Sequence, residues 1–203
     1  METDRSIRLM ARERTMPASA RDRLVDAALE LFQREGFHAT GIDRILTKAG
    51  VARMTLYNHF KSKDELILAA LRRADERFRN WFMQEVERRA TKPRERLLAL
   101  FEVLADWHTR PEFHGCVFGG AASEFADAGN PIQGACAEHK RLMLRWVRSL
   151  ASDAGATDPD ALAQELCLLM DGATAQARLC AERRSAAIAG RIARGVVDRA
   201  VPG

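Results

Sequence analysis

From Ala20 to Glu35 the apolar residues Leu24, Val25, Ala28, Leu31 and Phe32 recur at helical spacing, and Gly36 stops the run. Two shorter apolar stripes follow, Ile42 with Ile45 and Leu46, then Leu56 with Phe60, separated by Ala49-Gly50-Val51. Gly50 suits the positive φ of a tight turn between helices, and Thr40 is placed to cap the first of the two. In the second, Arg53 to His59, Leu56 faces inward while Arg53, Thr55, Tyr57, Asn58 and His59 stay polar. Two short helices joined at a glycine and resting on a third predict a helix-turn-helix.

Beyond this head the period stays helical. Ser62 is a cap, Asp64 and Glu65 suit the positive helix end, and Ile67, Ala70, Leu71, Ala74, Phe78 and Phe82 line one face of a helix reaching about Arg89. After Thr91-Lys92-Pro93 a second amphipathic helix carries Leu97, Leu98, Phe101, Leu104, Ala105 and His108. Residues 110–115 form a loop. Further helices are expected over Cys116 to Ala126, Ile132 to Ser152, Pro159 to Ala181 and Ser185 to Arg199, between Gly- and Pro-bearing breaks. No segment alternates with period two over a strand's length. The expected fold is all-α, with about nine helices: a flexible tail over 1–17, a three-helix head over 18–63, and a larger helical body over 64–203.

The stretch from Gly36 to Leu66 also resembles the DNA-binding domain of the TetR family of bacterial regulators. The matching positions are Thr40, Ile45, Leu46, Ala49, Gly50, Val51, Thr55, Leu56, Tyr57, His59, Phe60, Ser62, Lys63 and Leu66. The resemblance covers about residues 20 to 66. Leu46 stands where the family has Ala, Met54 where Gly or Ala is common, and Ala52 where a Ser caps the recognition helix. Loss of that cap costs about 1 kcal/mol locally. The resemblance implies a homodimer on a palindromic DNA operator, paired through the C-terminal helices, with repression as the common mode and a small-molecule effector held by the body. Small residues in the last two helices (Gly172, Ala173, Ala175, Ala186, Ala189, Gly190) suit close helix pairing, and equally suit helix formation as such.

Charge placement agrees with DNA as the partner. Residues 1–63 carry 12 Lys and Arg against 8 Asp and Glu, whereas residues 64–203 carry 20 of each, so the net +4 belongs to the tail and head together. Arg5, Arg8, Arg12 and Arg14 precede it, either as an arm on DNA or as a plain tail, and Met16 offers an alternative start. Four cysteines without a CxxC pair predict reduced thiols in a cytoplasmic protein. No apolar run approaches a membrane span, and no signal peptide is visible.

Thr40, Thr55, Tyr57, His59 and Lys63 resemble the family's phosphate-binding positions, with Lys61 adding charge nearby. Arg53, Met54 and Asn58 are candidates for base edges, and Arg44 lies at the groove margin: Arg suits guanine, Asn adenine, and Met a thymine methyl. In the body, Trp107, His108, Phe113, His114, Cys116, Phe118, Met143, Trp146 and Met170 are candidates for a pocket taking a small apolar effector, against the plainer reading of each as core. His108 and His139 lie on apolar faces and read as hydrogen-bonded core histidines. An alternative is a thiol- or metal-responsive regulator using Cys116 with His108 and His114, although their spacing matches no strong metal signature. No cofactor is expected. No nucleophile with a base and an orienting group can be assembled, so an enzyme is not expected either.

Overall fold

The computed structural model describes residues 18–202. Among them nine α-helices and no strand are found: α1 Ala20–Glu35, α2 Ile42–Ala49, α3 Arg53–His59, α4 Lys63–Arg89, α5 Pro93–Thr109, α6 Val117–Glu124, α7 Pro131–Asp153, α8 Pro159–Leu179 and α9 Ser185–Ala200. The expected tail over 1–17, with its four arginines, lies outside the described residues.

Local chemistry sets the helix ends. Ser19, Ser62, Asn130 and Asp158 each accept a backbone N–H from the first turn of α1, α4, α7 and α8. Proline opens α5, α7 and α8, where its missing N–H has no intrahelical partner to lose. Gly50 ends α2 with φ 60° and ψ 44°, the left-handed turn expected of it. Thr40 requires a correction. Gly41 occupies the cap position of α2 without a side-chain bond, and the Thr40 hydroxyl turns back to donate to the Gly36 carbonyl at 2.6 Å. The expected α6 is also shorter than predicted: Cys116 caps it and Phe125 ends it, instead of a run from 116 to 126.

Two apolar cores form. The first joins α1, α2 and α3 to the first half of α4 through Leu66, Ile67, Ala70 and Leu71, and draws in Phe118 and Ala121 of α6 with Ile132 and Cys136 of α7. The second packs the far half of α4, through Phe82 and Val86, with α5, α7, α8 and α9. A single 27-residue helix, about 40 Å long at 1.5 Å per residue, therefore belongs to both. Arg73 of α4 pairs with Asp22 and Asp26 of α1, and Arg77 reaches Asp26 at 2.9 Å.

Helix α6 binds head to body a second time. The Glu124 carboxylate at its end accepts the backbone N–H groups of Phe37 (2.9 Å) and His38 (2.7 Å), in the loop between α1 and α2. Gly36 makes room for this, since at φ +88° an added Cβ would sit 2.9 Å from Glu124 Oε1. Phe37 and His38 also pack their rings against Phe125.

Candidate nucleic-acid interface and body cavity

Helix α3 is built to show one face. Leu56 and the following Phe60 are buried in the head core, whereas Arg53, Met54, Tyr57, Asn58 and His59 are exposed. Met54 at 73% and Tyr57 at 50% exposure are large apolar side chains that the head does not cover. Thr55 is half-buried, and Lys61 is exposed just beyond the helix. Ala52, at the cap position, supplies no side-chain bond to the first turn.

Three cations on or beside this face are held by nearby carboxylates. The Arg53 guanidinium pairs with Asp43 of α2 and that of Arg44 with Glu35 of α1, while Lys48 meets Glu30 at 2.7 Å. Lys63 is half-buried and points its ammonium at the His38 carbonyl, 3.4 Å away. Burial draws its pKa below the ordinary lysine value, opposed by Asp64 and Glu124. Thr40 differs from the other DNA candidates: it is fully buried and its hydroxyl is already used, so its side chain offers a duplex nothing. Asp43, which the sequence reading passed over, sits beside the would-be base reader.

In the body, a cavity of about 310 Å³ lies among α4, α5, α7 and α8. A second, of about 500 Å³, lies where α1, α4, the end of α5 and α6 converge. Of the expected pocket residues, Trp107 and Cys116 line both, Met143 and Met170 line the first, and Phe118 lines the second. His114 faces a separate cleft of about 660 Å³ between the head, α6 and α8. The other three lie elsewhere. Trp146 packs edge-on against Phe82, Phe113 packs against Trp107 and His108, and His108 is buried.

The two buried histidines are hydrogen-bonded as expected of core residues. His108 Nε2 lies 3.3 Å from Thr174 Oγ1, whose own hydroxyl donates to the Met170 carbonyl. The threonine oxygen therefore accepts, which places the His108 proton on Nε2 and leaves Nδ1 bare. Burial lowers the His108 pKa to about 4. His139 Nδ1 bonds Asp75 at 2.8 Å, its ring stacks on Phe118, and burial lowers its pKa despite Asp75. Unlike His108, His139 lines both cavities, alongside Phe78; Lys140 and Asp171 line the first as an ion pair. Sequence reasoning assigned none of these four to the pocket. Among the described residues, His108, His114 and Cys116 are not gathered into a metal-holding group. Burial pushes Cys136 and Cys167 up to about 11, well above a reactive thiol.

A helix-turn-helix head carried on a helical body with its own cavities defines a class of one-chain regulators. Residues 24–70 match the family model described as bacterial regulatory proteins, tetR family, and residues 93–193 match that of a tetracyclin repressor-like C-terminal domain. A TetR-family transcriptional regulator from Streptomyces coelicolor superposes with a TM-score of 0.83 at 33% identity, over 90% of this chain and 96% of that one. The chain belongs to the TetR family.

Among curated relatives, the transcriptional activator FasR of Mycolicibacterium smegmatis is 41% identical over 87 residues, 43% of this chain and 39% of that protein. The transcriptional repressor KstR2 of the same organism is 37% identical over 90 residues, 43% of this chain and 42% of that protein. Each match thus spans about two fifths of the relative. No helix among the described residues is long and apolar enough to cross a membrane.

Proposed function

We propose that this chain is a DNA-binding transcriptional regulator that acts without catalysis in the cytoplasm, and that it represses by binding a palindromic operator as a homodimer until a small apolar effector releases it. The observation that carries the reading is the exposed face of α3. Arg53, Met54, Tyr57, Asn58 and His59 project from a helix anchored by Leu56 and Phe60, which is how a recognition helix enters the major groove. Arg53, Met54 and Asn58 read base edges, with Arg44 at the margin. Thr55, Tyr57, His59, Lys61 and Lys63 hold phosphates.

Seven residues read few base pairs, so a two-fold dimer supplies the second half-site. Leu168, Gly172, Ala175 and Leu179 leave an uncovered stripe on α8, continued by Ile188 and Ile192 on α9. A second copy is the natural cover for it. The effector occupies the body cavity, and by tilting α4 it changes the distance between the two recognition helices. Ligand and operator then weaken each other equally.

A thiol-responsive second reading has one observation in its favour: Cys116 lines all three of the larger cavities and caps α6. Maleimide labelling at graded pH tests it. For the main reading, selection of bound sequences from random duplex DNA should return a palindrome. Failure to enrich any duplex in dilute salt would refute it.

A further inference from the structure

The two body cavities are neighbours, the first (inner lobe) and the second (outer lobe), and Phe78, Trp107, Cys116 and His139 form the wall between them. The outer lobe alone, at about 500 Å³, is large enough for a small-molecule ligand. The inner lobe is walled mainly by apolar side chains, Leu104, Met143, Leu144 and Met170 among them, and its charges, Lys140 and Asp171, neutralise each other. The outer lobe is different. Its Arg110 guanidinium lies 4.0 Å over the Trp81 ring.

Arg110 stands apart from the cations around it. Arg73, Arg77, Arg79 and Arg89 each pair with an aspartate, whereas Arg110 has no ion pair or side-chain hydrogen bond among the described residues. A guanidinium stacked on an indole keeps its N–H edge free, and that edge matches a carboxylate in a two-bond fork. Two other charges line this lobe. Arg77 is committed to Asp26, and Glu112 is exposed and opposes an anion.

We infer that the outer lobe takes an amphipathic carboxylate, its head group on Arg110 and its apolar chain along Leu29, Ala74, Phe78, Trp107 and Phe118 of the same lobe. This rests on the body being the effector-binding half. It adds that the effector is an anion with an extended apolar tail, where the sequence suggests only an apolar molecule. Leu29 and Gln33 of α1 line the outer lobe together with Ala74 of α4, so this lobe reaches the contact between the head and α4.

Calorimetric titration of the full chain with decanoate, 1-decanol and decylammonium, all kept below micelle formation, tests the inference. Decanoate should bind at least tenfold more tightly than decanol, and decylammonium no more tightly than decanol. Arg110→Gln should bring decanoate and decanol within twofold of each other. Glu112→Gln should tighten decanoate while leaving decanol unchanged, and this variant removes no contact seen in the structure. Equal binding of decanoate and decanol, survival of the preference in Arg110→Gln, or no binding at all would overturn the inference. Operator binding by the same ligand-free preparation separates the two failures: a protein that grips its operator and ignores decanoate sinks this inference alone.

Discussion

Glu124 and His38 hold each other at two points: the Glu124 carboxylate accepts the His38 amide at 2.7 Å, and His38 Nε2 donates to the Glu124 carbonyl at 3.0 Å. Phe37 gives its amide to the other carboxylate oxygen. Helix α6 thus has its cap, Cys116, in the body cavities and its last residue on the loop that enters the helix-turn-helix. Charge-assisted bonds of this kind contribute about 1.5–3 kcal/mol each.

Glu124→Gln retains the shape but turns one acceptor into a donor facing an N–H. It should lower unfolding free energy by about 1–3 kcal/mol and reduce the loss of operator affinity that an effector causes. Gly36→Ala should destabilise at least as much, because its Cβ meets the same carboxylate at a positive φ. Urea unfolding and operator titration with and without effector check both; an unaltered effector response in Glu124→Gln would remove α6 from the coupling route.

If α3 reads DNA as proposed, the ion pair of Arg53 with Asp43 sets up a competition with the duplex. Arg53→Ala should cost about 1–3 kcal/mol on the preferred operator and relax specificity at one base pair per half-site. Lys63→Ala should weaken all sequences alike and flatten the salt slope by about 0.9 per phosphate contact, about twice that per dimer. Asp43→Asn should strengthen binding to any duplex, since it removes a negative charge near phosphate and frees the guanidinium. Binding titrations across operator variants and salt concentrations distinguish these; uniform loss on every variant for Arg53→Ala would exclude it as a base reader.

Much of the fold was legible because helix periods and caps are local. Ser62, Gly36 and Gly50 act at the positions where their chemistry places them. Thr40 misled because Thr and Gly are both accepted caps, and only the three-dimensional turn shows the hydroxyl drawn back to Gly36. The Glu124 contact joins residues 86 apart, and no local pattern reports it. The cavity was partly visible as an aromatic and sulfur-rich cluster, which located Trp107, Cys116, Met143 and Met170. It missed Phe78 and His139, whose spacing reads as ordinary core, and Lys140 with Asp171, which pair across two helices 31 residues apart.

The uncovered stripe on α8 and α9 predicts the state of assembly. Leu168 and Leu179 are 75% and 83% exposed in the single chain, more than an isolated globular surface needs. Leu168→Glu and Ile192→Glu each place a charge where the second copy would pack, and an unpaired buried charge is costly. Either variant should be monomeric by sedimentation at concentrations where the parent is a dimer, keep its helical circular dichroism, and lose operator affinity. A monomeric parent would refute the homodimer, and variants that stay dimeric would place the partner contact elsewhere.

His108 predicts how stability responds to acid. Its pKa falls to about 4 in the folded chain because burial disfavours the cation, against about 6.5 for an unburied imidazole. The unfolded chain therefore binds a proton that the folded chain refuses. The stabilisation is fully present above about pH 6.5 and is lost as pH falls from there towards 4, amounting to about 3 kcal/mol at most. His139, whose pKa burial also lowers, acts in the same direction. His108→Gln can still donate to Thr174 but cannot titrate. It should be less stable than the parent at pH 7.5, and the difference should shrink or reverse by pH 4.5. Urea midpoints of both proteins across that range check the sign, and parallel curves would mean that His108 stays accessible to protons in the folded state.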